Sequence, residues 1–534
     1  MEQSQQRFWL AVTVGILLLG SCWYTEASEQ LADHLASQPV RVDGGLISGD
    51  TTDSNIRVFK GIPFAAPPVG KLRWQPPQPV LAWKGVRKAN TFSASCMQVR
   101  EKPTDFHFAV SRPLNEDCLY LNVWTPARSP KDKLPVLLWI HDSALVVGEG
   151  TRPAADGEAL SSKGVVVITI NYRLGVFGFF AHPQLSAESP EHVSGNYGLL
   201  DMVSAIKWAR RNATAFGGDP DRITVFGESA GARAASALST SPLVKDDIHA
   251  VIAADTIYTG GLTLAEAENH GVKIAKDLRI NSIEELRNMP ADKLQSQVGP
   301  RKYAYQFVVD GKLLTLATVF SAEKTGAEAN IPILTGVTSG FATAIVSPIS
   351  AEAFVEQSRS ICGAHSTDLL DMYPATGDTQ ATASQMSLSV DSVAWTHDKW
   401  ASLHARNGRR AYLYLFTRDV PAPPTAKYNI YGDPLPAHLG AYHTGEIAYM
   451  FNSLEKLKTY AWQPRDYELA KVVSSYIVNF VTKGDPNGPG LPPWPAYDDN
   501  SKPVMELGDE VKLIPSPLAG PKKALWDECL ANLG

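Results

Sequence analysis

A chain of 534 residues is long enough for several average domains, yet large α/β enzymes reach this size around one sheet. Its 44% hydrophobic and 19% charged residues exclude a disordered chain. A formal net charge of −6, with no basic stripe, gives no footing for nucleic acid as a partner.

The amino terminus opens with MEQSQQR, which carries one basic side chain, then the apolar run FWLAVTVGILLLG and small residues. That is the layout of a secretory signal, and the run is too short to span a bilayer comfortably as an uncleaved anchor. Two exits are readable. Thr25-Glu26-Ala27 resembles a signal-peptidase site, giving a signal over 1–28, while Leu19-Gly20-Ser21-Cys22 resembles a bacterial lipobox, giving a signal over 1–21 and a lipid anchor on Cys22. Either route makes the protein secreted or periplasmic, and the mature chain shows no transmembrane segment. Without Cys22, four cysteines remain, Cys96, Cys118, Cys362 and Cys529, an even number that suits disulfides in an exported chain. Bridging Cys96 to Cys118 would close a loop of about twenty residues and stabilise by roughly 3 kcal/mol in the chain-entropy picture.

Along the chain, VRVDGGLISG and IRVFKGIPFA alternate like the two strands of a hairpin, and PPVGKLRWQPPQP is too broken for helix. LPVLLWIHD and GVVVITINYR are continuous apolar runs of the kind that form buried strands. LLDMVSAIKWARRNA has helical spacing, ITVFGESAG is a third run ending in a tight turn, and AASALSTSPL continues as helix. HAVIAAD, IPILTGV and AYLYLFT add three more strands. Strands alternating with helices predict an α/β fold, a mostly parallel sheet covered on both faces. The patterns over 261–330 and 350–390 are helical and predict a cap beside the sheet. No repeat, low-complexity tract or linker interrupts residues 29–534, which read as a single domain.

The chemistry gathers at Gly227-Glu228-Ser229-Ala230-Gly231, directly after the strand Ile223-Thr224-Val225-Phe226 and opening a helix. Glycines at both ends permit a strained strand-to-helix turn, which lifts the serine hydroxyl clear of the sheet and aims a helix amino terminus at developing negative charge. With these segments in place the chain resembles the type-B carboxylesterases, a family that includes cholinesterases and bile-salt-activated lipases. The likeness runs through FKGIPFAAPPVGKLRW, EDCLYLNVWTPA, NYRLGVFGFF, GNYGLLD, FGGDPDRITVFGESAG, GAYHTGEIAYMF and GDPNGPGLPPWPAYD. AHPQLSAES and MPADKL look like bacterial members. The resemblance implies an α/β-hydrolase fold, a small-molecule carboxylic ester as substrate and no cofactor, and no metal-ligand spacing is seen. It pairs Cys96 with Cys118 and Arg73 with Glu116, and makes Ser229 the nucleophile and His443 the general base.

Three departures from the family pattern bear on activity. Where the family has His-Gly-Gly-Gly, this chain has His141-Asp142-Ser143-Ala144-Leu145, so the oxyanion-hole N–H groups fall to Asp142, Ser143 and Ala230. Glycine serves there for backbone freedom, and losing one good donor costs roughly 3 kcal/mol of transition-state stabilisation. The family's acid, a glutamate in an Asp-Glu-Gly turn, is replaced by Phe341. Asp255 stands where the family has Ser-Gly, at a strand end that some lipases use for the triad acid, which predicts the triad Ser229, His443 and Asp255. The alternative for Asp255 is a solvated strand-end residue. The alternative for the whole chain is a catalytically impaired member that binds or scaffolds. A cholinesterase is disfavoured, because the Cys96–Cys118 loop lacks the tryptophan that a cationic substrate wants. The sequence is silent on acyl length and oligomeric state.

Overall fold

The computed structural model describes residues 38–99, 112–142, 144–299, 303–343, 345–429, 433–436 and 438–531. The signal-like segment 1–28 with Cys22, and the oxyanion candidate Ser143, lie outside the described residues.

The continuous apolar runs become strands buried on both faces, and they collect in the middle of one large sheet. Its eleven strands are β1 (Asp50–Thr51), β2 (Arg57–Pro63), β3 (Tyr120–Thr125), β4 (Leu134–Ile140), β5 (Val166–Ile170), β6 (Gly218–Glu228), β7 (Ala250–Ala254), β8 (Ile333–Thr338), β9 (Ala411–Phe416), β10 (Val504–Leu507) and β11 (Val511–Ile514). They lie in the order β11-β10-β9-β8-β7-β6-β4-β5-β3-β2-β1. From β10 through β5 every neighbouring pair is parallel, and antiparallel strands finish both edges. Alternation along β4 shows how the sheet divides two cores: Val136, Leu138 and Ile140 enter one apolar cluster, Leu137 and Trp139 the other.

Helices α1 (Tyr197–Asn212) and α2 (Ala230–Leu238) pack into the first cluster through Met202, Ile206 and Ala235. The two helical regions expected from spacing form α3 (Leu264–Asp277), α4 (Val319–Thr325), α5 (Ala351–Cys362) and α6 (Asp378–Arg406), with shorter helices between them. On the opposite face, α7 (Pro464–Lys483) buries Leu469, Val473 and Ile477 in the second cluster. Among the described residues no helix is long and apolar enough to cross a membrane.

The first expected hairpin forms differently. VRVDGGLISG folds back on itself, with Val40–Val42 antiparallel to Gly45–Ser48, and only Asp50–Thr51 pairs with β2. The cause is local turn chemistry. Asp43-Gly44 with Gly45 at φ 146° supplies a tight turn inside the first run.

Cys96 is bonded to Cys118, and Cys362 to Cys529. Beside the first bridge, Arg73 Nε donates to Glu116 Oε1 at 2.7 Å. That pair is itself buried and also anchors the chain at Met289, whose carbonyl accepts from Arg73 Nη1 at 2.7 Å.

Candidate active site

β5 lies on one side of β4 and β6 on the other, so the strand order reverses at β4. In an open parallel sheet such a reversal leaves a crevice at the carboxyl ends of the strands, where ligands settle. Ser229 follows β6 at this edge and holds a backbone conformation of φ 54°, ψ −124°, costly for a residue with a side chain. Its flanking glycines make the turn sterically feasible. A Cβ on Gly227 would stand 2.1 Å from the carbonyl oxygen of Gly231, and one on Gly231 would stand 2.2 Å from that of Ile140. No side chain fits either gap, so the glycines are needed for close approach of backbone to backbone.

Three strand ends bring their side chains together. His443, in the segment after β9, places Nε2 2.9 Å from Ser229 Oγ and Nδ1 2.7 Å from Asp255 Oδ2. Asp255, immediately after β7, is completely buried, so it is not a solvated strand-end residue. Its carboxylate is held by more than the imidazole. The Thr338 N–H donates to Oδ1 at 2.6 Å, and the Thr338 hydroxyl and Thr444 N–H donate to Oδ2 at 3.2 and 3.3 Å. Asp255 itself sits in the left-handed region at φ 67°, a conformation that aspartate tolerates better than most. Phe341, beyond β8, presents its ring in an edge-to-face contact with His443, with centroids 4.8 Å apart.

The loop after β4 keeps a glycine-like backbone without glycines: Ala144 and Leu145 have φ 45° and 64°. Ala230 begins α2, with its side chain buried. The Asp142 carboxylate is not an isolated anion, because the Arg152 guanidinium pairs with both its oxygens. His141 stacks on Tyr172 at 4.3 Å, and its Nδ1 donates to the Asp142 carbonyl at 2.9 Å. Burial pushes the His141 imidazole down to about 4, which keeps it neutral at ordinary pH.

Behind the elbow lies a buried carboxyl cluster to which the sequence reading assigned no role. Glu228 is fully buried, with Oε1 3.3 Å from His443 Nδ1. Burial, then the charges of Asp142, Asp255 and Glu446, hold its carboxyl well above the usual range. Glu446 is raised in the same direction by burial and by Asp255. Both carboxyls are therefore pushed toward the neutral form, and Asp255 is the carboxyl that faces the imidazole at hydrogen-bond distance. Glu228 was visible inside the GESAG motif, whereas Arg152 carries no motif that would have marked it.

Residues 36–526 match the family model described as the Carboxylesterase family. The chain is 35% identical to a fumonisin B1 esterase of Sphingopyxis macrogoltabida over 488 residues, covering 88% of this chain and 86% of that one. It is 29% identical to a para-nitrobenzyl esterase of Bacillus subtilis, covering 92% and 99% of the two chains. Similar solved structures include a thermophilic para-nitrobenzyl esterase, with TM-score 0.79, 28% identity and coverage of 92% and 100%. A carboxylesterase of Geobacillus stearothermophilus superposes with TM-score 0.77 at 30% identity, covering 91% and 99%.

Proposed function

The chain belongs to the carboxylesterase family, and on that premise we propose that it is an exported serine esterase that cleaves carboxylic esters through an acyl-enzyme on Ser229. One observation carries the reading: the unbroken series from Ser229 Oγ to His443 Nε2 at 2.9 Å and from His443 Nδ1 to Asp255 Oδ2 at 2.7 Å.

In this reading the serine hydroxyl, a poor nucleophile alone, gives its proton to His443 as it attacks the ester carbonyl. The imidazolium then protonates the departing alcohol, and water repeats the cycle on the acyl-enzyme. Asp255 holds the imidazole with Nδ1 protonated, so that Nε2 is free to accept. The N–H groups of Ala230, Asp142 and Ser143 serve the oxyanion, assisted by the amino terminus of α2. Phe341 fills the place of the family's glutamate and holds the imidazole ring by packing.

The signal-like amino terminus and two disulfides support export, either as a free protein or on a lipid at Cys22. The replaced glycines at Asp142 and Ser143 favour the second reading, a binding protein on a disabled site. Against it stands the strained Ser229 backbone, a cost that a disabled site has no reason to keep.

The test is hydrolysis of 4-nitrophenyl acetate and butyrate by the purified mature protein and by Ser229→Ala. The esterase reading expects turnover that the substitution abolishes. Equal rates for the two proteins would give the site to the binding reading.

A further inference from the structure

Arg233 stands one helical turn beyond the nucleophile in α2, about 6 Å along the axis. Its N–H donates to the Ser229 carbonyl at 2.9 Å, which ties it to the elbow. Its guanidinium is treated unlike the other arginines sunk in this protein. Arg73, Arg152, Arg173, Arg409 and Arg418 are each answered by a carboxylate. Arg233 has only neutral company among the described residues: Gln306 Oε1 at 3.0 Å, the Gly260 carbonyl at 3.4 Å, and the Phe307 ring, 5.2 Å away. Both hydrogen bonds come from Nη2, which leaves the Nη1 and Nε donors uncommitted. Burial draws the guanidinium below its ordinary value, as expected for a cation without a counter-charge.

The arginine lines an open cleft of about 530 Å³, together with Thr256, Thr259, Gln306 and Thr396. Thr256 joins this cleft to the candidate active site, since its hydroxyl donates to the Ser229 carbonyl at 2.6 Å and it follows Asp255 directly. No residue of the His443 segment lines it. A histidine that returns a proton to the leaving alcohol must face that alcohol, so a cleft away from it belongs to the acyl part.

We propose that this cleft is an anion subsite, and that the preferred substrates are esters whose acid part carries a second carboxylate a few bonds from the scissile carbonyl. The inference rests on the serine-esterase reading for turnover but not for binding. A carboxylate is the matching partner for a buried guanidinium with N–H donors to spare, because it supplies both the missing counter-charge and charge-assisted hydrogen bonds. Thr259 and Thr396 line the same cleft and keep it polar.

The experiment compares 4-nitrophenyl hexanoate with mono-4-nitrophenyl adipate, the same chain ending in methyl or in carboxylate. The ratio of kcat/KM for adipate over hexanoate should fall about tenfold or more in Arg233→Gln, chiefly through KM, and recover in part in Arg233→Lys. A ratio unchanged between wild type and Arg233→Gln overturns the subsite. Calorimetry of monomethyl adipate with Ser229→Ala separates the two readings if neither ester is turned over. Binding that disappears in Ser229→Ala/Arg233→Gln upholds the subsite whatever becomes of the esterase reading. No binding to Ser229→Ala overturns it.

Discussion

At the scale of single residues, the arrangement turns on which group faces Nδ1 of His443. Asp255 does so at 2.7 Å, while the neighbouring Glu228 lies at 3.3 Å and has its carboxyl pushed up by burial and surrounding charge. Asp255→Asn is therefore expected to keep the fold and lose up to roughly 10⁴-fold in kcat, because an amide cannot hold the imidazole tautomer. Phe341→Glu, which restores a carboxyl against the same ring, should recover part of that loss in the Asn variant and do little on its own. Initial rates on 4-nitrophenyl butyrate measure both, and an Asn variant as fast as wild type would remove Asp255 from the mechanism. A second expectation concerns Asp142 and Arg152. Breaking this pair by removing one partner should cost roughly 3 kcal/mol, and Asp142→Gly with Arg152→Met should cost less than the sum of the two single changes. Urea unfolding of the two single variants and the double variant reads this, and additive losses would show that the pair is not a unit. Ser229, His443 and Asp255 were readable because each sits in or beside a motif at a strand end. The Arg152 pairing was not, because the partners are brought together by the loop's course, to which sequence spacing is blind.

The strands and helices were largely legible for the same reason that they form. Apolar runs such as LPVLLWI and VVITI suit a doubly covered sheet, and α1 and α2 follow helical spacing. Strands β10 and β11 escaped, since four-residue segments are too short to carry a pattern. A polar knot ties the cap helices to the sheet: His404 of α6, Glu323 of α4, and Glu328, which also accepts from Trp400 Nε1 at 3.1 Å. His404 points Nδ1 at the Glu323 carboxylate and Nε2 at the Ile331 carbonyl, 2.7 Å away, so both nitrogens must donate. Although burial opposes the charge, the hydrogen bonds to Glu323 and Glu328 hold the imidazole up, from 6.5 to about 9. Burial pushes Glu328 from 4.5 to about 8. Both groups bind their protons more tightly in the folded protein. Their stabilisation is complete at low pH, begins to fade above each unfolded value, and is lost as pH rises through about 8 and then about 9. Tm should thus fall between pH 7 and 9.5, and His404→Gln should flatten the decline. A wild-type Tm that rises over that interval would refute the assignment.

At the scale of the whole molecule, one sheet positions the candidate site. The sheet reverses its order at β4, Ser229 follows the adjacent β6, Asp255 follows β7, and His443 comes from the segment after β9. Cys362–Cys529 closes 167 residues and joins α5 to the carboxyl-terminal helix, while Cys96–Cys118 closes 22 beside the Arg73–Glu116 pair. By chain entropy the longer bridge restricts the unfolded chain more, by about 5 kcal/mol against roughly 3 for the shorter. Such bridges suit a chain that works outside a reducing compartment. The central claim remains that Ser229 is an activated nucleophile, and a fluorophosphonate probe asks that directly. Incubated with the purified mature protein, it should form a single adduct that peptide mass spectrometry places on Ser229, slowed by several decades in His443→Ala and absent in Ser229→Ala. An unlabelled folded protein, or an adduct on another residue that persists in Ser229→Ala, would contradict the account.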